Sequence, residues 1–96
     1  MSAYVIVELE VTDPDQYAAY GKLAQESVAR HGGRFLIRGG AQQVIEGEWS
    51  PRMVMLEFDS LDAVRAWYDS EDYQACLPMR LESANGRMIA VEGYEG

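Results

Sequence analysis

The 96-residue sequence predicts one α+β domain with the element order β-α-β-β-α-β. Four short segments are rich in β-branched and aromatic residues, which is typical of strands. Two longer segments repeat apolar residues at three- and four-residue spacing, which is typical of helices. A chain of this length forms a single domain, and its 48% hydrophobic residues suffice for one core. The order predicts a ferredoxin-like fold: a four-stranded antiparallel sheet with two helices on one face.

The first strand and the first helix follow one another directly. Residues 4–11 predict the strand, since β-branched residues dominate and successive side chains alternate between two faces. Asp13, Pro14 and Gln16 predict the helix start as cap, first helical residue and capping-box partner. The helical stripe consists of Tyr17, Tyr20, Ala24, Val28 and His31. The glycines at 32–33 predict the helix end, because glycine readily adopts the left-handed conformation of a C-cap.

The stretch 34–49 concentrates arginines, glycines and a tryptophan on an otherwise apolar scaffold. Residues 34–38 predict the second strand. Its alternation places Phe35 and Ile37 on one face, and the other face holds Arg34, Leu36 and Arg38. The glycine pair at 39–40 predicts a bulge or a close backbone approach, after which residues 42–46 are expected to resume extended structure before a turn that carries Trp49.

Residues 53–59 predict a third strand that is apolar on both faces. One face holds Val54, Leu56 and Phe58, and the other holds Met53 and Met55. A strand buried on both sides belongs to a sheet covered on both sides. Tyr4 and Ile6 are expected beside the two methionines, and a second copy of the chain would cover that face. The sequence therefore predicts a homodimer.

Ser60 predicts the N-cap of the second helix, with Asp62 in its first turn. The apolar stripe of this helix consists of Leu61, Val64, Trp67 and Tyr68. Residues 69–72 predict a break in this helix and a second N-cap. The apolar stripe continues beyond the break, and the helix is expected to kink near Pro78. Asn85 and Gly86 predict a turn, and residues 87–92 predict the last strand.

Composition excludes several classes of partner and cofactor. The 8 Lys+Arg against 16 Asp+Glu give a net charge of −8, which disfavours nucleic acids and anionic membranes. No apolar run approaches the ~20 residues of a membrane span, and no basic leader precedes the first strand, so we expect a cytoplasmic protein. Cys76 is the only cysteine and is expected to be a small buried residue. With His31 the only histidine, haem or flavin is disfavoured, and no cofactor or metal is expected.

Three ionisable residues are candidates for chemistry, each with a structural alternative. Glu57 lies on the methionine face of its strand, where a carboxylate is either paired or raised in pKa. It is a catalytic candidate or an interface carboxylate paired with Arg38 or Arg34. Arg38 is a candidate anion clamp beside the glycine pair, or a strand-end salt bridge. His31 is a candidate general base, or it satisfies the last carbonyls of the first helix.

The aromatic residues have two interpretations. Trp67, Tyr68 and Tyr73 on the second helical segment, with Trp49 on the turn, either fill the core or line a pocket between helices and sheet. Arg80 is interpreted as a cation at the end of a helix, where it interacts favourably with the helix dipole. No nucleophile elbow, metal-ligand cluster, dinucleotide fingerprint or P-loop is present, so the residues define no reaction.

Taken together, the motifs resemble those of the uncharacterised domain of unknown function 1330 family. The matching pieces are Tyr-Val-Ile-Val at 4–7, Asp-Pro-Asp-x-Tyr at 13–17, Gly-Gly-Arg-Phe-Leu-Ile-Arg-Gly-Gly at 32–40, Glu-Gly-x-Trp at 46–49, Leu-Glu-Phe at 56–58, Ala-Trp-Tyr-Asp-Ser at 66–70, Tyr73 and Val-Glu-Gly at 91–93. The resemblance implies a subunit that pairs into a dimeric α+β barrel, and it implies no established activity. The broader superfamily includes cofactor-independent monooxygenases, small isomerases and decyclases, and ligand-binding or regulatory domains. No catalytic residue of those relatives matches a position here.

The sequence thus leaves two functional hypotheses. The first is a homodimer with one pocket per subunit, lined by Arg38, Glu57, Trp67 and Tyr68, which takes a small anionic or carbonyl compound. If this protein is an enzyme, Arg38 holds the anion while Glu57 or His31 moves a proton. The second is a non-catalytic dimer, either structural or ligand-binding and regulatory, in which the same polar groups form salt bridges between the two sheets.

Overall fold

The structure is a computed structural model that describes residues 1–95. Its strands are β1 (Ala3–Val11), β2 (Arg34–Arg38), β3 (Arg52–Phe58) and β4 (Ala84–Glu92), and its helices are α1 (Pro14–Arg30), α2 (Leu61–Tyr68) and α3 (Glu71–Ser83). The strands form one antiparallel sheet in the order β2-β3-β1-β4. The predicted α+β ferredoxin-like fold is confirmed, with the second predicted helix divided into α2 and α3.

The helices begin and end at the capping residues that the sequence predicts. Asp13 accepts a hydrogen bond from the Gln16 N–H at 3.2 Å, and Gly32 takes the left-handed conformation with φ 77°. The predicted capping box is only half formed, because the Gln16 side chain donates instead to Glu82 Oε1 at 3.2 Å. Ser60 and Ser70 cap α2 and α3 by accepting from the Ala63 and Tyr73 N–H groups. The predicted break between the two helices is therefore confirmed.

The core lies between the helices and one face of the sheet. Alternation in β1 and β3 sends every second side chain into it. Its strand members are Ala3, Val5, Val7, Leu9, Val54, Leu56 and Phe58, and its helix members include Tyr20, Ala24, Val28, Val64, Trp67, Tyr73 and Cys76. Trp67 is central, with its ring centroid 5.3 Å from that of Phe58 and 4.3 Å from that of Tyr73.

The predicted turn at 85–86 is wrong, because both residues belong to β4. Asn85 pairs with Glu10 and Gly86 with Leu9. Ala84 is already extended, with φ −153° and ψ 151°, so the chain passes from α3 into the strand without a turn. A Cβ at Gly86 would lie 2.3 Å from the Glu8 carbonyl oxygen. The glycine at this position allows two backbones to approach closely.

The predicted bulge at 39–40 is also misplaced, since the register shift lies between Phe35 and Ile37. Phe35 pairs with Leu56 and Ile37 pairs with Met55, so Leu36 is the extra residue. Beyond the bulge the two faces exchange. Arg38 therefore pairs with Val54 and shares its helix-side face, whereas the alternation predicted the opposite face.

A long loop joins β2 to β3. Gly39 ends β2 with φ 69° and donates its N–H to the Met53 carbonyl oxygen at 2.9 Å. Residues 42–46 form no strand, so the predicted return to extended structure is wrong. Trp49 reaches the other face of the sheet, where a shallow groove places it beside Ile6 and Ile89.

That second face of the sheet, which we call the open face, has no helix over it among the described residues. Its apolar residues are Tyr4, Ile6, Ile37, Met53, Met55, Ile89 and Val91. The molecule measures 36 × 34 × 16 Å. Its accessible surface of 6195 Å² exceeds the ~5,500 Å² expected for a compact monomer of this mass. Within residues 1–95, no helix is long and apolar enough to cross a membrane.

Candidate functional site

A cavity lies in the core layer between the helices and the sheet. Its apolar walls come from β1, β3 and α1, and its polar or aromatic residues are Tyr17, Tyr20, Trp67, Arg38 and Arg80. The free space inside it is about 40 Å³. That volume holds roughly three water molecules, since one water needs about 10–15 Å³ measured in this way. The cavity is therefore small, mostly apolar and equipped with a few polar groups.

Arg80 places a buried positive charge at this cavity. It is only 7% exposed, and its Nε has no hydrogen-bond partner. Among residues 1–95, no carboxylate lies within 4.0 Å of its guanidinium nitrogens. An arginine stays protonated in proteins, and an unpaired buried charge is costly. Among the described residues none that lines the cavity is acidic, although the chain has 16 acids against 8 basic residues.

Tyr20 and Tyr73 form a hydroxyl pair next to the cavity, with their oxygens 2.8 Å apart. Burial raises the pKa of the Tyr20 phenol, and the neighbouring Tyr73 raises it further. Burial also raises the pKa of Tyr73, although Tyr20 and Arg80 oppose that shift. Both phenols are thus neutral at physiological pH. One hydroxyl donates to the other, so the pair keeps one O–H that can donate elsewhere.

Arg38 closes the edge of the cavity. Its Nη1 donates to Gln25 Oε1 at 2.9 Å and its Nη2 to the Gly21 carbonyl oxygen at 3.2 Å. Its guanidinium also lies over the Phe35 ring, 4.6 Å from the centroid. Both acceptors are neutral groups of α1, so Arg38, like Arg80, has no carboxylate partner within 4.0 Å among residues 1–95.

Glu57 lies on the open face, and the expectation that Arg38 faces it is wrong. The bulge at Leu36 turns Arg38 to the helix side, while Glu57 pairs with Arg34 across the strands. Arg34 Nε donates to Glu57 Oε1 at 2.6 Å. This hydrogen bond from Arg34 holds the pKa of the Glu57 carboxyl below its ordinary value. The pairing with Arg34 was one of the two alternatives that the sequence left open.

His31 lies at the end of α1, outside the cavity lining. Its Nε2 lies 3.1 Å from Asp72 Oδ1, and Arg30 donates to the other oxygen of Asp72 at 3.0 Å. Ser70, then His31 and Arg30, stabilise the carboxylate and hold the pKa of Asp72 well below its ordinary range. The side chain of His31 thus joins α1 to α3. The catalytic roles expected of Glu57 and His31 stay predictions, and neither residue lines the cavity.

The aromatic candidates divide between core and surface. Trp67 is 1% exposed and lines the cavity, and its Nε1 is buried without a partner. Tyr73 is fully buried behind Tyr20. Tyr68 is half-buried and lines a separate surface groove beside Arg65 and Ile89. Trp49 is 52% exposed and lies on the open face.

Tyr17, Tyr20 and Arg80 are cavity residues that sequence reasoning did not assign to a site. The two tyrosines belong to the helical stripe that predicts α1, and the stripe gives them no role in a site. Arg80 follows Tyr73, Cys76 and Leu77 at helical spacing, which is the buried face of α3. A charged residue on an apolar stripe was the signal that could have identified it. Within the described residues, no three His, Cys, Asp or Glu side chains are grouped to hold a metal ion.

Comparison with known proteins adds a family and a fold. The family described as Domain of unknown function (DUF1330) matches residues 2–94. No curated protein matches the chain.

Solved structures share the fold at low identity. A protein of unknown function from Rhodopseudomonas palustris is 17% identical with a TM-score of 0.79, over 99% of this chain and 84% of that one. SnoaB, a cofactor-independent oxygenase from Streptomyces nogalater, is 9% identical with a TM-score of 0.69, and the match covers 99% of this chain and 95% of that one. A dimeric ferredoxin-like protein of unknown function from Thermobifida fusca is 20% identical with a TM-score of 0.62, and the match covers 94% of this chain and 89% of that one. At these identities the likeness concerns the fold alone.

Proposed function

The chain belongs to the family described as Domain of unknown function (DUF1330), and on that premise we propose that it is a homodimer whose subunits each bind one small organic compound in the internal cavity. The cavity carries this proposal. Protein interiors have few voids larger than one water, and a site for a small molecule combines apolar walls with a few polar groups. Here about 40 Å³ of free space lies beside Trp67, Tyr20 and two arginines.

The size of the cavity limits the ligand. Space for roughly three waters accepts a compound of only a few heavy atoms. A larger ligand has to displace Arg38, whose two hydrogen bonds to α1 are made at the surface. Exposed hydrogen bonds of this kind exchange readily with water and contribute little, about 1 kcal/mol each. Arg38 is thus the side chain that yields when a larger compound enters.

The homodimer is supported by the open face. Ile89 is 61% and Val91 45% exposed there, which is an unusual state for neighbouring strand residues in a monomer. The pairs Arg34–Glu57 and Arg87–Glu8 flank this apolar area. A second copy related by a two-fold axis would present the same apolar area to it.

A cofactor-independent reaction of the oxygenase or isomerase type is a second candidate. The neutral Tyr20–Tyr73 pair favours it, since its remaining O–H can act as a general acid toward a ligand carbonyl. SnoaB has this fold and is a cofactor-independent oxygenase, but at 9% identity its activity does not transfer. In such a reaction water takes the proton from the carbon beside the carbonyl while the phenol O–H donates to the carbonyl oxygen, so deuterium exchange at that carbon, lost in Tyr20→Phe, would be its signature.

A thermal-shift experiment with small carboxylates, phenols and quinones tests binding in the cavity. A compound that binds the folded state raises the unfolding temperature by mass action. Ala24 lies in the cavity wall, so Ala24→Leu fills the space. We expect the wild-type protein to be stabilised by at least one compound and Ala24→Leu to lose that response.

Ala19→Leu is the matched control, because Ala19 lies exposed on the same helix. It should respond to the compound as the wild type does. If Ala24→Leu folds and still binds with unchanged affinity, the ligand lies elsewhere and the proposed site is wrong.

A further inference from the structure

Building on the proposed binding role, we infer that the ligand is a short organic acid and that the Arg80 guanidinium is the counter-ion of its carboxylate. Arg80 lines the cavity, is 7% exposed and has a buried Nε–H without a partner. A guanidinium presents parallel N–H groups that match the two oxygens of a carboxylate.

The protein itself supplies no counter-charge at this site. Arg30, Arg34, Arg65 and Arg87 each have a carboxylate partner, and all four lie on the outside of the molecule. Within residues 1–95, neither cavity arginine, Arg38 or Arg80, has a carboxylate within 4.0 Å. The tyrosines beside Arg80 are neutral. The neutral Tyr73 hydroxyl is a partner that the protein offers to Arg80, and a bound anion would supply the missing negative charge.

The other free polar groups of the cavity specify the rest of the ligand. Trp67 Nε1–H is buried without a partner, and the Tyr20–Tyr73 pair keeps one O–H. An indole N–H can only donate, and so can the guanidinium. A cavity with unused donors favours a ligand with several acceptor oxygens. A carboxylic acid with a neighbouring carbonyl or hydroxyl oxygen, such as a short 2-oxo acid, fits both this pattern and the small volume.

Calorimetric titrations with pyruvate, acetate and acetamide test the inference. Acetamide has nearly the shape of acetate and no charge. The wild type should bind pyruvate and acetate and should not bind acetamide. Arg80→Gln keeps a polar side chain of intermediate length and removes the charge, so its affinity for pyruvate should fall roughly 10- to 100-fold. Arg65→Gln, an exposed arginine on the neighbouring helix α2, should bind as the wild type does.

Thermal unfolding of Arg80→Met without added anions is the second measurement. A buried charge that lacks a partner destabilises the folded state, so its replacement by an apolar side chain should raise the unfolding temperature. A lower unfolding temperature would mean that Arg80 is satisfied within the protein, and this would overturn the inference.

The outcomes separate the inference from the proposed function. If Arg80→Gln binds pyruvate as tightly as the wild type, the role of Arg80 is overturned while the cavity stays a binding site. If acetamide binds as well as acetate, the anionic ligand is overturned in the same way. If pyruvate, acetate and acetamide all fail to bind while a phenol or quinone stabilises the wild type, the inference is overturned and the cavity stays a binding site. If no compound of either set binds, the proposed function fails and the inference fails with it.

Discussion

Asp72 connects the end of α1 to the beginning of α3. It accepts from Arg30 at 3.0 Å and lies 3.1 Å from His31 Nε2. The pKa of its carboxyl in the folded protein lies below the value of about 3.9 for an unfolded chain. A group with a depressed folded pKa stabilises the native state above its unfolded pKa, and this contribution is lost as the pH falls through that range.

We therefore predict that Asp72→Asn unfolds at a lower temperature than the wild type at pH 7, and that the difference shrinks as the pH falls from about 5 to 2. Thermal unfolding followed by circular dichroism across this range measures it. Asp59→Asn serves as the control, since Asp59 is exposed and has no cation within 4.0 Å among residues 1–95. A difference for Asp72→Asn that stays constant with pH would contradict the assigned role.

At the scale of single residues, the sequence could predict helix caps and buried side chains. It could not predict which charged side chains form ion pairs with one another. Asp13, Ser60 and Gly32 were identified because capping depends on local backbone geometry. The partner of Glu57 depends on which residue lies across the strand, and the sequence left Arg34 and Arg38 as equals. Arg80 was assigned to the helix dipole, because its burial depends on how α3 packs against α1.

At the scale of elements, β2 explains why the candidate site was predicted incorrectly. Strict alternation puts Arg38 on the face of Arg34 and Glu57, and one extra residue at Leu36 reverses that assignment. A glycine pair is the usual sign of a bulge, but this bulge falls at a leucine. Similarly, Asn85–Gly86 has the composition of a turn and lies within β4, where Gly86 permits close contact with β1.

The open face of the sheet carries the prediction of a dimer. Ile89 lies in β4 opposite Ile6 and is 61% exposed in one chain. Ile89→Asp would bury a carboxylate in the proposed interface, at a cost of several kcal/mol, so this variant should be monomeric. Sedimentation equilibrium should report a dimer for the wild type and one chain for the variant.

Leu81→Asp is the matched control, because Leu81 is 62% exposed on α3, on the helix side of the sheet. It should remain a dimer. If the wild type is monomeric at all accessible concentrations, or if Leu81→Asp dissociates while Ile89→Asp does not, the open face is not the interface.

At the scale of the whole molecule, the charges are distributed unevenly. The chain carries a net charge of −8, and nevertheless the cavity is lined by two arginines and by no acidic residue. Four exposed arginines, Arg30, Arg34, Arg65 and Arg87, form ion pairs, and surface pairs of this kind have a modest energy, of the order of 0–1 kcal/mol. The two arginines at the cavity have no carboxylate partner within the described residues.

The fold, which hydrophobic periodicity and caps dictate, could be predicted almost completely. The cavity could not, because it arises from packing between segments that are distant in the sequence.

The central claim is that a small molecule occupies the cavity between the helices and the sheet. The chain has two tryptophans, so a ¹H–¹⁵N spectrum shows two indole N–H resonances, which Trp49→Phe assigns. Trp67 lines the cavity and has a buried Nε1, whereas Trp49 is 52% exposed on the open face. On titration with pyruvate, the Trp67 resonance should shift and saturate while the Trp49 resonance stays in place. Saturable movement of Trp49 alone, with Trp67 unchanged, would contradict the account.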